Sequence, residues 1–167
     1  MVGAGREAML RSDWAEAEKR FREDLTEHDS AEAHHGLGQA LWFRGQLRAS
    51  MAHHGLAYER YREAGDPAAA RVACWLAMEQ LALNGDLHSA RGWLDRAAST
   101  VGEEPSVGLG WFLLTRSALG VGPPGEGARA AIELARSLGD RDLEASALAM
   151  AGRASVNEGR VGAGIDL

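Results

Sequence analysis

Apolar residues return along this chain at the three- and four-residue steps of one helical face, and polar breaks cut the pattern at regular distances. Leu37, Ala40, Leu41, Leu47, Met51 and Leu56 form one such stripe, and Leu76, Leu81, Leu87, Trp93 and Leu94 form another. Ser12-Asp13, Gly45-Gln46, Gly85-Asp86, Pro123-Pro124-Gly125 and Gly159-Arg160 interrupt it at intervals of 33, 40, 38 and 36 residues. Between them lie Asp29-Ser30, Gly65-Asp66-Pro67, Glu103-Glu104-Pro105 and Gly139-Asp140, with the Gly, Asp, Ser and Pro chemistry of helix ends and starts. The pattern predicts helices over 3–11, 13–28, 30–44, 47–64, 67–84, 87–100, 105–120, 126–138, 140–158 and 160 to the end. These make five pairs in one domain, with repeats at about 1–29, 30–66, 67–104, 105–139 and 140–167. One pair cannot bury its own stripe, so the units gain a core by stacking on neighbours.

Composition sharpens this picture. Strand-forming β-branched residues are few, Pro occurs only 4 times, and 167 residues suit one domain with a substantial core. The 24 acidic against 18 basic residues give a net charge of −6, which repels a phosphate backbone, so no direct nucleic-acid contact is expected. Cys74 is alone and lies in an apolar run, which excludes an intrachain disulfide and reads as a small core residue in a reducing compartment. Met1 to Arg11 lacks the pattern of a signal peptide, and no apolar run reaches membrane-spanning length. A cytoplasmic location, with no membrane partner, is the expectation.

The second pair carries Leu37-Gly38, Leu41, Gly45, Leu47, Ser50, His54 and Ala57, and the third Ala77-Met78, Leu81, Gly85, Leu87, Ala90, Leu94 and Ala97 at the same intervals. Small residues on both helices let backbones approach while bulky ones fill the wedge between pairs. This spacing resembles the tetratricopeptide repeat family, which implies an all-α, right-handed superhelix of antiparallel helix pairs. The first pair departs from it at Asp24, and the fourth at Thr115-Arg116 and the Pro-Pro turn. At a finer level, residues 36–45, 70–77 and 139–144, with Asn157-Glu158-Gly159-Arg160-Val161, are similar to the helical-repeat region of actinobacterial LuxR-type transcriptional regulators. In that family a helix-turn-helix lies at the far C-terminus, so any DNA-binding role belongs to such a module and not to these repeats.

The resemblance also implies that the first helix of each pair lines a concave groove. The residues at its inward positions are Glu32, His35, Gln39, Trp42 and Phe43 from the second pair, and Val72, Trp75, Glu79 and Leu83 from the third. Leu113, Ser117, Arg153 and Asn157 come from the fourth and fifth, with Arg6 and Met9 at the N-terminal rim. Two tryptophans among a few polar groups suit a small molecule or a peptide. The alternative is that Trp42 and Trp75 pack between repeats.

His34-His35 and His53-His54 raise a metal or acid–base possibility. Adjacent helical residues diverge by about 100°, so a metal site requires His34 or His35 to meet His53 or His54 across the pair, helped by Glu32 or Asp29. Packing and solvent-facing histidines are the preferred reading, with no metal and no cofactor. No nucleophile–base pair or phosphate loop stands out. The chain therefore reads as a non-catalytic interaction or ligand-sensing module that takes a peptide, protein or small molecule in its groove. The alternatives are a homo-oligomerisation scaffold and a small-metabolite enzyme using the His- and Trp-lined groove. A final helix stopping at Leu167 leaves Val156, Val161 and Ile165 uncovered, which favours a symmetric homodimer through the last pair.

Overall fold

The computed structural model describes residues 2–123, 125–157 and 159. Among them it is all-helical: α1 (Val2–Leu10), α2 (Trp14–Glu27), α3 (Ala31–Phe43), α4 (Leu47–Glu63), α5 (Ala68–Asn84), α6 (Leu87–Thr100), α7 (Val107–Ala118), α8 (Glu126–Leu138) and α9 (Arg141–Asn157). Each end falls within two residues of the sequence expectation. The expected tenth helix, with Val161 and Ile165, lies outside the described residues.

Local chemistry sets the starts. Asp13, Ser30, Asp86 and Ser106 each accept a hydrogen bond from the backbone N–H three residues on, and Asp140 does so for Leu143. Each such cap contributes on the order of 1 kcal/mol by satisfying a donor that the helix leaves open. Left-handed backbone marks the joints. Gly85 (φ 62°) ends α5, and Ser12 (φ 56°) occupies the same region between α1 and α2 without glycine's freedom.

Joints of two to seven residues fold each helix back on its predecessor. The odd-numbered helices also meet one another, α1 on α3, α5 on α7 and α7 on α9, and so form a layer of their own. Alanine makes this close packing possible. Ala57, Ala73, Ala77, Ala90, Ala97, Ala128, Ala131, Ala135 and Ala147 are all fully buried, and the ring of Phe21 lies so near Gly36 that a β-carbon there would fall 2.3 Å from it.

The core runs along the chain as successive clusters. Phe21, Leu37 and Leu41 centre the first, Val72 and Leu76 the next, and Leu114, Ile132 and Leu143 the last. Trp111 packs against both of the latter two. Burying each Leu or Phe contributes roughly 1.5–3 kcal/mol relative to exposure. Cys74 belongs to the middle cluster, where burial pushes its thiol up to about 12. No helix among the described residues is long and apolar enough to cross a membrane.

Candidate functional site

The layer of odd-numbered helices surrounds one side of a cleft of about 870 Å³. α1 contributes Arg6, Met9 and Leu10, and α3 contributes Glu32, His35, Gly36, Gln39 and Phe43. α5 supplies Arg71 and Trp75, α7 supplies Trp111, and α9 supplies Asp142, Ala145 and Ser146. Trp14, Phe21 and Tyr61 complete the wall from the even helices. Stacking on Trp14 at 4.3 Å between ring centroids holds Phe43, which is itself half exposed.

Of the residues expected in the groove, the structure brings Glu32, His35, Gln39, Phe43 and Trp75 together there, with Arg6 and Met9 at the rim. Trp42 stands behind them, edge-on to Trp75 at 6.0 Å. Two residues of α5 are corrected: Val72 and Glu79 are buried, 1% and 0% exposed, and do not line the cleft. Arg71 and Trp75 are one turn apart on the same face, whereas positions 72 and 79 are turned about 80–100° from Arg71 and point into the helix stack. Leu83 is half-buried outside the lining, Leu113 packs into the last core cluster, and Ser117 is close to Gly127. Arg153 and Asn157 are exposed, Arg153 against Met150 Sδ at 3.0 Å. The cleft instead meets α7 at Trp111 and α9 in its first two turns.

Arg71, Tyr61, Trp111 and Asp142 escaped the sequence reading. For Arg71 a signal existed, because it and Glu79 are the only charged residues of α5, and Arg71 precedes Trp75 by four positions. At the mouth, Arg6 donates to Glu32 at 2.8 Å. Deeper in, the Arg71 guanidinium stands 5.7 Å from the Trp111 ring centroid, and its Nε is buried with no acceptor. Burial holds Arg71 below the usual arginine range, while Asp140 and Asp142 oppose that shift through space. Burial also pushes the Tyr61 hydroxyl up to about 12.

Beneath the cleft lies a buried polar cluster. His54 Nδ1 donates to Glu79 Oε1 at 2.8 Å, Ser50 Oγ donates to the same oxygen, and Ser50 Oγ is 2.8 Å from the Gly38 carbonyl. Ser50, His54 and Glu79 are all 0% exposed. Serine and histidine bond to one carboxylate oxygen and not to each other, so the imidazole does not reach the hydroxyl, and the hydroxyl reaches no solvent. The His54 ring lies 5.3 Å from Trp75 and 5.2 Å from His35, whose two ring nitrogens are buried without partners. Desolvation, aided by His54 and Arg71, holds the His35 imidazole well below its ordinary range.

The other histidine pair also meets across α3 and α4. Asp29 Oδ1 is 2.8 Å from His34 Nε2, and His34 Nδ1 is 2.9 Å from His53 Nδ1. A carboxylate only accepts, so His34 donates from Nε2 and receives the His53 N–H at Nδ1. Both nitrogens of a neutral His34 are thereby committed. Among the described residues no group of three or more His, Cys, Asp or Glu is placed to hold a metal ion. Compared with known proteins, the chain matches no family model, no curated protein and no solved structure.

Proposed function

We propose that this chain is a non-catalytic helical-repeat module of tetratricopeptide type that binds a ligand in the cleft of its odd-numbered helices. The observation that carries this is the cleft, walled by residues of seven helices and combining six aromatic rings with a few polar groups. Its volume is in the range of small-molecule sites, about 300–1,000 Å³. The resemblance to the repeat region of LuxR-type regulators supports a sensing role within a bacterial transcriptional regulator, with the ligand read here and DNA read elsewhere. The buried Ser50–His54–Glu79 cluster supports a non-catalytic reading, since it offers no nucleophile–base pair open to a substrate.

The test is a thermal-shift screen of a metabolite and peptide panel against the wild type and Ala145→Trp, which places bulk on an exposed wall of the cleft. A ligand at one hundred times its Kd stabilises the folded state by about 2.7 kcal/mol. For a chain of this size that raises Tm by roughly 5–11 °C. The shift disappears in Ala145→Trp. Shifts of equal size in both proteins, or none with any compound, refute the cleft as the site.

A further inference from the structure

The cleft holds two arginines in unlike states. Arg6 is satisfied by Glu32 at 2.8 Å, at the exposed mouth. Arg71 is deeper and has no hydrogen-bonded carboxylate or carbonyl among the described residues; its guanidinium lies over the face of Trp111, and Asp140 and Asp142 act on it only through space. A guanidinium carries five donors and no acceptor; the Nε–H of Arg71 is the one buried without a partner, and leaving a donor unfilled away from water is costly. The nearby acids do not fill it. Asp140 spends an oxygen capping α9 through the Leu143 N–H, and Asp142 is exposed in the cleft lining without a hydrogen bond to Arg71.

The surroundings of Arg71 restrict what can complete it. Trp111 lies against the guanidinium, Trp75 is one turn along on the same face, and Tyr61 flanks the cleft. These rings make the cleft beside the guanidinium suited to a flat apolar body, and the fork of guanidinium donors matches two oxygens of one carboxylate. The remaining orphaned polar atoms of the cleft floor include the Trp75 Nε1–H, which is another donor. Resting on the cleft reading above, we propose that the ligand is a small planar organic acid, its carboxylate on Arg71 and its apolar body against Trp75 and Trp111.

The experiment is calorimetric titration with 2-naphthoate and with 2-naphthamide, which share one flat body and differ in charge. Wild type should bind the acid about tenfold or more tightly than the amide, the value of a charge-assisted pair over a neutral one. Arg71→Gln and Arg71→Met should each abolish that preference, while Arg91→Gln, on α6 outside the cleft, should keep it; two substitutions at position 71, each checked by circular dichroism, guard against loss of fold. Equal affinities in the wild type overturn the proposal. So does a preference that survives at both position-71 variants. If both compounds bind equally and Ala145→Trp blocks both, the cleft stands and the acid does not. Heat from neither compound overturns the acid, and the panel screen then judges the cleft by itself.

Discussion

Two glycines inside helices give opposite expectations for one chemical change. Gly55 is in the middle of α4, and a β-carbon built there meets nothing within 4 Å. Alanine at that position gains helix propensity and restricts the unfolded chain, a stabilisation of about 0.5–1 kcal/mol. Gly127 is in the first turn of α8, where a β-carbon would fall 2.4 Å from the carbonyl oxygen of Leu113 and 3.3 Å from its carbonyl carbon. The obstacle is the backbone of α7, which no rotamer change relieves. Separating α7 from α8 also loosens Ala128, Ala131 and Leu114 in the last core cluster. Overpacking of this kind costs about 1–3 kcal/mol, which exceeds the same propensity gain. Gly55→Ala should therefore raise Tm by roughly 1–4 °C and Gly127→Ala lower it by several degrees, at about 2–4 °C per kcal/mol. Melting followed at 222 nm decides it. Shifts of the same sign in both variants would mean that the α7–α8 approach is not as close as the structure has it.

Acid should weaken the fold before its carboxylates titrate. Burial and His34 hold His53 at about 4, and desolvation holds His35 well below its ordinary value of 6.5, so the unfolded chain takes up protons first as pH falls. Stability is complete above about pH 6.5 and declines toward pH 4, by about 1–2 kcal/mol from His53 once its partial exposure is discounted, and further from His35. Urea midpoints at pH 7.5, 6 and 5 should fall in that order; a constant midpoint contradicts the burial of both rings. Ala57→Trp and Ala90→Trp replace fully buried residues and should each cost on the order of 1–3 kcal/mol or more, whereas Glu63→Trp on an exposed face should be nearly silent, all read from urea midpoints. Glu79→Ala strips His54 and Ser50 of their shared acceptor in a fully buried place and should cost about 3–5 kcal/mol, while an unchanged midpoint would show that water takes over the bonds.

The helices were legible because their boundaries are local events. Ser30, Asp86 and Ser106 act on N–H groups three residues away, and Gly85 and Gly139 reach the left-handed region at the cost of no side chain. The lining of the cleft was legible on α3 at Glu32, His35, Gln39 and Phe43, but not at Trp42, which stands edge-on to Trp75 outside the lining. It failed on α5, since the rotation of a helix about its own axis depends on what it packs against. Ser50 and His54 of α4 draw Glu79 inward, and that turns Arg71 toward the cleft in place of Val72. On α7 and α9 the error lies along the axis, as the cleft crosses these helices at Trp111 and Asp142–Ser146 and not at Ser117 or Arg153. Such crossings are set by non-local packing of large rings, for which no spacing along the chain is a guide. The cross-pair meetings of His34 with His53 and of His35 with His54 both form, the first through a hydrogen bond between stacked rings and the second through ring packing.

The polar cluster beneath the cleft occupies ground that an apolar core would ordinarily hold. Leucine or methionine would fill the volume of Glu79 and His54 with no desolvation to overcome, and replacing a buried polar cluster entirely is often neutral or stabilising. The bonding pattern indicates what the polar version adds. A single carboxylate oxygen of α5 receives two donors from α4, and one of those donors also lies within bonding distance of a carbonyl of α3. Hydrogen bonds fix direction as well as distance, so three helices are held in one rotational setting that apolar contacts alone leave looser. The His54 ring fits against Gly38, where a β-carbon would be 2.6 Å away, and also packs on Trp75 at 5.3 Å between ring centroids. Rotation of α5 by one residue would exchange Arg71 for Val72 in the cleft. The buried cluster thus fixes which face of α5 the ligand meets, and the cation and indole of the proposed site depend on polar groups that the ligand itself never touches.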